Sequence, residues 1–369
     1  MRIVLVSHYA VTNIGDKILT ECLCKILSEK GHSVRMVDIN GRIKINENDD
    51  EEIRIIKRQH SDHIRSNRNE FISHFQENLS DCDLLIFAGG AILDVLSEYT
   101  AEDINTIISI AREKNIPVAF NSVGFFGNEV DNEKGMIIRK ALLSPNVKWI
   151  SVRERKDDIA YLLNGEKEFS YCCDTAVWAR ELFGVDSSLV NQDNIIGINL
   201  INKFAFSYFG NSVFDVSETY FKIYSELTDL GFKCNFFING PAVDHNYANS
   251  FARKYNIPSE MFLLDDNTRS GKAFLSFLSQ FSLVISSRLH TSISCFSLKI
   301  PSLCLSWDRK MDEFYRNISR PYWLIAPNDV NNISIKVKNA LAEQYNGVSF
   351  QSYKETTLFY INKMLDEMK

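Results

Sequence analysis

Short apolar runs alternate along this chain with longer stretches whose apolar residues recur at helical spacing. The first run, RIVLVS (2–7), predicts a strand. DKILTECLCKILSEKG (16–31) predicts the helix after it, with Ile18, Leu19, Cys22, Leu23, Ile26 and Leu27 on one face and Gly31 as its stop. SVRMVDI (33–39) and DLLIFAGG (83–90) predict strands, EDINTIISIAREKN (102–115) a helix, and PVAFNSVG (117–124) another strand. WISVRE (149–154) and FSYCCDTA (169–176) continue the rhythm. Strands this uniformly apolar, separated by amphipathic helices, belong to a parallel sheet covered on both faces.

The rhythm restarts at NIIGINLI (194–201), a strand as bare as the first. SETYFKIYSELTDLG (217–231), KCNFFING (233–240), GKAFLSFLSQ (271–280), LVISS (283–287), HTSISCFSLK (290–299) and PSLCLS (301–306) then predict a second α/β unit. The chain of 369 residues also exceeds what one core of about 250–300 residues accommodates. The expected organisation is therefore α/β, with two Rossmann-like domains facing across a cleft. The first covers 1–184 and the second 185–345, joined at the polar stretch VDSSLVNQDN (185–194). A terminal helix within 346–369 is free to pack back on the first domain. Residues 41–80 are dense in charge of both signs and read as a solvated helix and loop, or as an insertion rimming the cleft.

Composition narrows the function. The net charge of −6 argues against a nucleic-acid partner, which normally meets a basic excess. No apolar run reaches the roughly 18–20 residues of a membrane span. The opening MRIVLVSHYA lacks a secretory signal's long apolar segment and reads as a first core strand. The eight cysteines sit mostly inside apolar segments without a CxxC pair, which suits reduced, buried thiols in a cytoplasmic protein. No acidic or cysteine–histidine cluster has metal spacing, so neither metal nor cofactor is expected.

In open parallel sheets, ligands bind beyond the carboxyl ends of strands. Three loops qualify. In SHYAVTNIGDK (7–17), Gly15 permits close backbone approach to a helix start. The glycines of a dinucleotide-binding GxGxxG are missing. A phosphate-cradling loop is one reading, but an Asp at the helix mouth repels phosphate, so Asn13 and Asp16 suit a sugar hydroxyl better, with Asp16 reading equally as a helix cap and His8 as a candidate ligand contact. In FAGGAILD (87–94), Gly89 and Gly90 expose bare backbone and Asp94 is expected one helical turn further on. A tight turn is the competing reading. In SSRLHTSIS (286–294), Arg288 and His290 share a face only if the segment is extended and the helix starts near Thr291, with Thr291 or Ser292 as its cap. That arrangement aims a guanidinium, an imidazole and a helix N-terminus at one anion. Ser287 lies beside them. Lys310, in SWDRK, would add a further charge or sit in a solvated turn.

Together these loops resemble the polysaccharide pyruvyl transferase family. The residues that carry the resemblance are Asn13-Ile14-Gly15-Asp16, the strand ending in Gly89-Gly90, and Arg288-Leu289-His290 followed by SWDRK. NSVGFFG (121–127), SVRERKD (151–157) and CDTAVW (173–178) are further landmarks. The sequence departs from the family in a shorter glycine run, in Phe125-Phe126 where Gly-Pro is common, and in a glycine-poor 8–12 loop. The resemblance implies a glycosyltransferase-B-like fold, phosphoenolpyruvate as donor, a sugar or lipid-linked oligosaccharide as acceptor, and a pyruvate ketal as product. It assigns Arg288 and His290 to the donor, with Ser287 and Lys310 as neighbours. His8, Asn13, Asp16, Gly89, Gly90 and Asp94 are left for the acceptor. His290 is the candidate acid, and Asp16 or Asp94 the candidate base. A lipid-linked acceptor would bring the protein to the inner membrane face. A nucleotide-sugar glycosyltransferase and a non-catalytic carbohydrate-binding protein are the competing readings of the same fold.

Overall fold

The computed structural model describes residues 1–369 except 11–12, 45–48, 50, 98, 128, 187–193, 203–205, 207–215, 241, 264–269, 328–329, 344, 346–347 and 369. Most of the 185–194 stretch expected to join the domains lies outside the described residues. The chain forms two compact units. One contains 1–11, 16–175 and 355–369, and the other 12–15 and 176–354. The division thus falls at Thr175/Ala176 and again at Lys354/Glu355, and Asn13–Gly15 group with the second unit.

In the first unit the order is β1 (Arg2–Ser7), α1 (Ile14–Glu29), β2 (Ser33–Asp38), α2 (Glu51–Ser66), α3 (Arg68–Asn78), β3 (Leu84–Ala88) and β4 (Leu93–Asp94). There follow α4 (Thr100–Glu113), β5 (Val118–Val123), β6 (Phe125–Phe126), α5 (Glu133–Leu142), β7 (Val147–Val152), α6 (Lys156–Leu163) and β8 (Ser170–Tyr171). The main sheet is parallel, ordered β2-β1-β3-β5-β7-β8, while β4 and β6 form a separate two-stranded pair. β1 and β3 are neighbours in register Ile3↔Leu84 to Val6↔Phe87. Every residue of β3 and β5 is buried, as expected of strands packed on both faces, and Phe87 stacks on Phe120 at 4.6 Å. The charged 41–80 segment supplies α2 and α3. Its few apolar residues anchor it, since Ile64, Phe71 and Phe75 are buried in the core of this unit.

The second unit contains α7 (Ala179–Phe183), β9 (Ile195–Asn199), α8 (Val216–Asp229), β10 (Lys233–Phe237), α9 (Ala242–Tyr255), β11 (Phe262–Leu263) and α10 (Gly271–Leu278). It continues through β12 (Leu283–Ser286), α11 (Leu289–Leu298), β13 (Ser302–Leu305), α12 (Arg309–Asn317), β14 (Leu324–Ile325), α13 (Ile333–Glu343) and α14 (Val348–Glu367). The sheet is again parallel, ordered β11-β10-β9-β12-β13-β14. Numbered within the unit this is 3-2-1-4-5-6, the Rossmann order. The chain reverses its winding direction between β9 and β12, which pair in register Ile196↔Leu283 to Ile198↔Ile285. In the first unit the equivalent reversal lies between β1 and β3.

Helix α14 begins in the second unit, and its residues from Glu355 onward group with the first. Among the described residues no helix is long and apolar enough to cross a membrane. None of the eight cysteines forms a disulfide, and burial pushes the Cys172 thiol up to about 11 and that of Cys304 to about 12.

Candidate active site

In the second unit, the residues that follow β9 and β12 meet at the reversal point of the sheet. β12 ends at Ser286, and Arg288 stays extended (φ −133°, ψ 134°) as the residue capping α11. The helix starts at Leu289, two residues earlier than expected, because Thr291 N and Ser292 N both donate to Arg288 O at 3.1 and 3.2 Å. Neither Thr291 nor Ser292 caps it. Thr291 Oγ1 donates instead to Asn199 Oδ1 at 3.2 Å, and Ser292 Oγ to Ser286 Oγ at 2.9 Å. The Ser286 hydroxyl both accepts from Arg288 N (3.2 Å) and donates to Arg288 O (2.8 Å), closing the turn locally. Arg288 therefore lies outside the helix, but His290 lies in its first turn, so the expected extended segment through both residues, with the helix starting near Thr291, is met at Arg288 alone.

Both side chains remain partly exposed. The Arg288 guanidinium pairs through Nη2 with Oδ2 of Asp244, a fully buried carboxylate on α9. Gly240 makes that pair possible, since a Cβ there would lie 2.0 Å from Asp244 Oδ2 and 2.1 Å from Arg288 Nη2. His290 packs close to backbone: a Cβ on Gly15, which groups with this unit, would sit 2.2 Å from its Nδ1. The glycine of the Asn13-Ile14-Gly15-Asp16 motif is thus required by a close approach to the imidazole. Asn13 Oδ1 accepts from Gly15 N at 3.2 Å and so secures the start of α1.

A buried polar floor supports this turn. Asn199 Nδ2 donates to Asn239 Oδ1 (3.1 Å), Asn239 Nδ2 to Thr291 Oγ1 (2.9 Å), and Thr291 back to Asn199. Ser287 is fully buried, and its hydroxyl accepts from the Tyr220 phenol at 2.7 Å while its carbonyl accepts from Trp307 Nε1 at 2.8 Å. Burial raises the Tyr220 pKa, which keeps that phenol a donor. Lys310 is held by Asp308 at 2.8 Å and lies over the Trp307 ring, 5.5 Å from its centroid. Its charge is largely answered by Asp308, the residue capping α12.

In the first unit, the residues after β1 and β3 gather in the same way. Gly89 and Gly90 adopt left-handed φ of 52° and 66°. A Cβ on Gly90 would come within 3.0 Å of Asp16 Oδ1, so Asp16 in the first turn of α1 lies against bare backbone at the end of β3. Asp94 corrects an expectation. It stands in the short β4, not in a helix, and its Oδ1 accepts from Leu96 N and Ser97 N at 2.9 and 2.8 Å, which closes a turn. His8 follows β1 and is half-buried. Asp38, the buried last residue of β2, stands in register with Ser7, the residue before His8. Burial raises the Asp38 pKa, against the opposing charges of His8 and Arg42.

The residues that sequence reasoning left without a role lie beside Asp16. Arg153 pairs with Asp174 and sits 3.5 Å from Glu154, all three nearly fully buried. Burial pulls the Arg153 pKa down, but Asp174, Glu154 and Asp16 together more than offset it and leave it raised. Glu154 Oε1 accepts from Phe125 N at 3.2 Å, against Gly124, where a Cβ would fall 2.3 Å from it. SVRERKD and CDTAVW, visible only as motifs, thus bring one buried guanidinium among three carboxylates. Asp244, Asn199 and Asn239 were also missed. The rule that ligands gather after strands would have flagged the asparagines, since Asn199 ends β9 and Asn239 follows β10.

Two parallel Rossmann-like sheets, one in each unit, belong to a glycosyltransferase-B-like fold. Solved structures share it along nearly the whole chain. The UDP-GlcNAc 2-epimerase of Methanocaldococcus jannaschii superposes with a TM-score of 0.61 at 10% identity, covering 99% of each chain. A putative UDP-N-acetylglucosamine 2-epimerase from Listeria monocytogenes gives 0.60 at 10% identity, covering 98% of this chain and 94% of its own. The Neisseria meningitidis UDP-GlcNAc 2-epimerase, solved with UDP-GlcNAc bound, gives 0.58 at 10% identity, covering 99% of this chain and 100% of its own. At such identity the likeness is one of fold. No curated protein matches the sequence. The family is shown by the sequence itself: a model of the polysaccharide pyruvyl transferases matches residues 13–309, and the chain belongs to that family.

Proposed function

We propose that this protein transfers pyruvate from phosphoenolpyruvate onto two hydroxyls of one sugar in a surface polysaccharide or its precursor, forming a ketal and releasing phosphate. The observation that supports an anionic donor is the position of Arg288. It is extended, outside the helix, at the reversal point of the second sheet, with His290 in the adjoining first turn of α11. Phosphoenolpyruvate carries a carboxylate and a phosphate, and a guanidinium matches either in bidentate fashion. The N-terminus of α11 adds a favourable dipole.

A proton delivered to the methylene carbon of the donor, by His290 in this reading, makes the adjacent carbon electrophilic. A first sugar hydroxyl adds there and gives up its proton to a base, for which Asp16 is the candidate. Phosphate then leaves with the C–O bonding pair. The second hydroxyl adds to the resulting cation and loses its proton, which closes the ketal. One proton enters the methyl group and two leave the hydroxyls, so the remaining proton departs with phosphate. The carboxylates near Asp16 and the bare backbone of Gly89 and Gly90 suit hydroxyl donors, and so support placing the sugar on the first unit.

The test is phosphate release from phosphoenolpyruvate across a panel of sugar and lipid-linked acceptors, read together with the mass gained by the sugar. The expected result is a ketal product, with Arg288→Ala and His290→Ala lowering the rate by about 100-fold or more. Full activity in both variants overturns the site. Thermal stabilisation by nucleotide sugars and none by phosphoenolpyruvate overturns the donor.

A further inference from the structure

We infer that Asp244 is a positioning residue for Arg288, setting the pose of the guanidinium through which the donor is recognised. Its contact with substrate is not required; it acts through the arginine. The kinetic part of the inference rests on the phosphoenolpyruvate reading, and the spectroscopic part below stands without it.

Asp244 is fully buried in the first turn of α9, 44 residues before Arg288. A carboxylate removed from water needs donors on both oxygens. Oδ1 accepts from Asn202 N at 3.0 Å and from Asn202 Nδ2 at 2.6 Å. Oδ2 is given to Arg288. Because the backbone and side chain of Asn202 hold one end, the carboxylate cannot swing, and the arginine it binds inherits that fixity. An unheld arginine has many rotamers to lose when it takes hold of an anion. One already held avoids most of that loss.

The guanidinium is not saturated by this bond. Nε of Arg288 is buried and has no hydrogen-bond partner, and the side chain keeps 18% of its surface exposed. A buried arginine whose role was only to neutralise Asp244 would be expected to spend its remaining donors on protein acceptors. Gly240 is the third part of the device. Its backbone passes so close to the Asp244–Arg288 contact that any side chain there would enter it. Asp244 also offsets part of the arginine's charge. The structure therefore trades some long-range attraction for a fixed pose.

The experiment uses the full chain with Asp244→Asn, which keeps size and an acceptor for Asn202, and Asp244→Ala. First, the side-chain Nε–H resonance of Arg288 is followed by NMR, identified by its loss in Arg288→Lys. A hindered, ordered signal in the wild type and a mobile one in Asp244→Asn are expected. An unchanged signal overturns the inference. Second, steady-state kinetics with phosphoenolpyruvate should show KM raised by up to about 100-fold in Asp244→Asn, with kcat affected far less. The same substitution should add no further loss in an Arg288→Lys background. Wild-type KM with only a lowered Tm, or losses that multiply independently in the double variant, would overturn it. Should Asp244→Ala fail to fold, Asp244→Asn carries both measurements. A wild-type protein inert toward phosphoenolpyruvate refutes the donor reading, and the Arg288 resonance then decides the positioning role by itself.

Discussion

Replacing Gly240 by alanine perturbs Arg288 without altering any charge. Gly240 is not among the glycines with positive φ, so the substitution introduces no backbone strain. Its effect is steric. The new Cβ would lie 2.0 Å from Asp244 Oδ2, 2.1 Å from Arg288 Nη2 and 2.6 Å from Arg288 Cζ. Restoring an ordinary contact of 3.4 Å to Asp244 requires a retreat of about 1.4 Å, from 3.4 less 2.0. Asp244 is fully buried and tied to Asn202, so it has nowhere to go. The backbone at residue 240 must therefore yield to clear Asp244, and Arg288 must retreat by about 1.3 Å, from 3.4 less 2.1. A displacement of about 1 Å in a binding group lowers catalytic efficiency by roughly 100-fold, and overpacking of this size lowers stability by about 1–3 kcal/mol. The assay is phosphate release with varied phosphoenolpyruvate, run beside urea denaturation of the same preparation. The expected pattern is a large rise in KM and a modest loss of stability. An alanine variant with wild-type KM and unchanged midpoint would refute the argument, since a Cβ at that position cannot coexist with the observed pair.

Two further outcomes follow from the first unit. Arg153→Leu should destabilise the protein by about 3–5 kcal/mol in urea, because it strands the buried carboxylates of Asp174 and Glu154, and Arg153→Lys should recover only part of that; a loss below about 1 kcal/mol would mean the carboxylates find other partners. His74 on α3 has its pKa lowered, chiefly by burial and further by His60, against the opposing charges of Glu77 and Asp38. Between that value and about 6.5 the unfolded chain holds a proton the folded one lacks, so stability should fall as pH drops from about 7 to 5. His74→Gln should make that slope shallower, and an identical slope in the two proteins would show that His74 does not contribute.

Much of this protein was legible in the order of its residues. The alternation of bare apolar runs with amphipathic helices specifies parallel sheets, because only strands packed on both faces tolerate such uniform hydrophobicity. Its restart at Asn194 specifies two of them. The loops after β1, β3 and β12 could be found as glycines, an Arg-Leu-His and an Asn-Ile-Gly-Asp at strand ends, and the same residues carry the family. What periodicity could not supply was any fact that depends on which strand lies beside which. Strand order alone puts β9 next to β12 and so brings Asn199 under Thr291. The start of α11 depended on a serine turning back on the chain to hold Arg288, a local bond that propensity does not rank. The partner of Arg288 was beyond reach for the same reason. Asp244 lies 44 residues earlier, on a helix whose own pattern marks it only as an acidic first turn. Burial turned that residue from a favourable helix start into the fixed point of the arginine. Hydrophobic pattern is a property of neighbours along the chain, whereas the pose of a charged side chain is set by groups that only folding brings together.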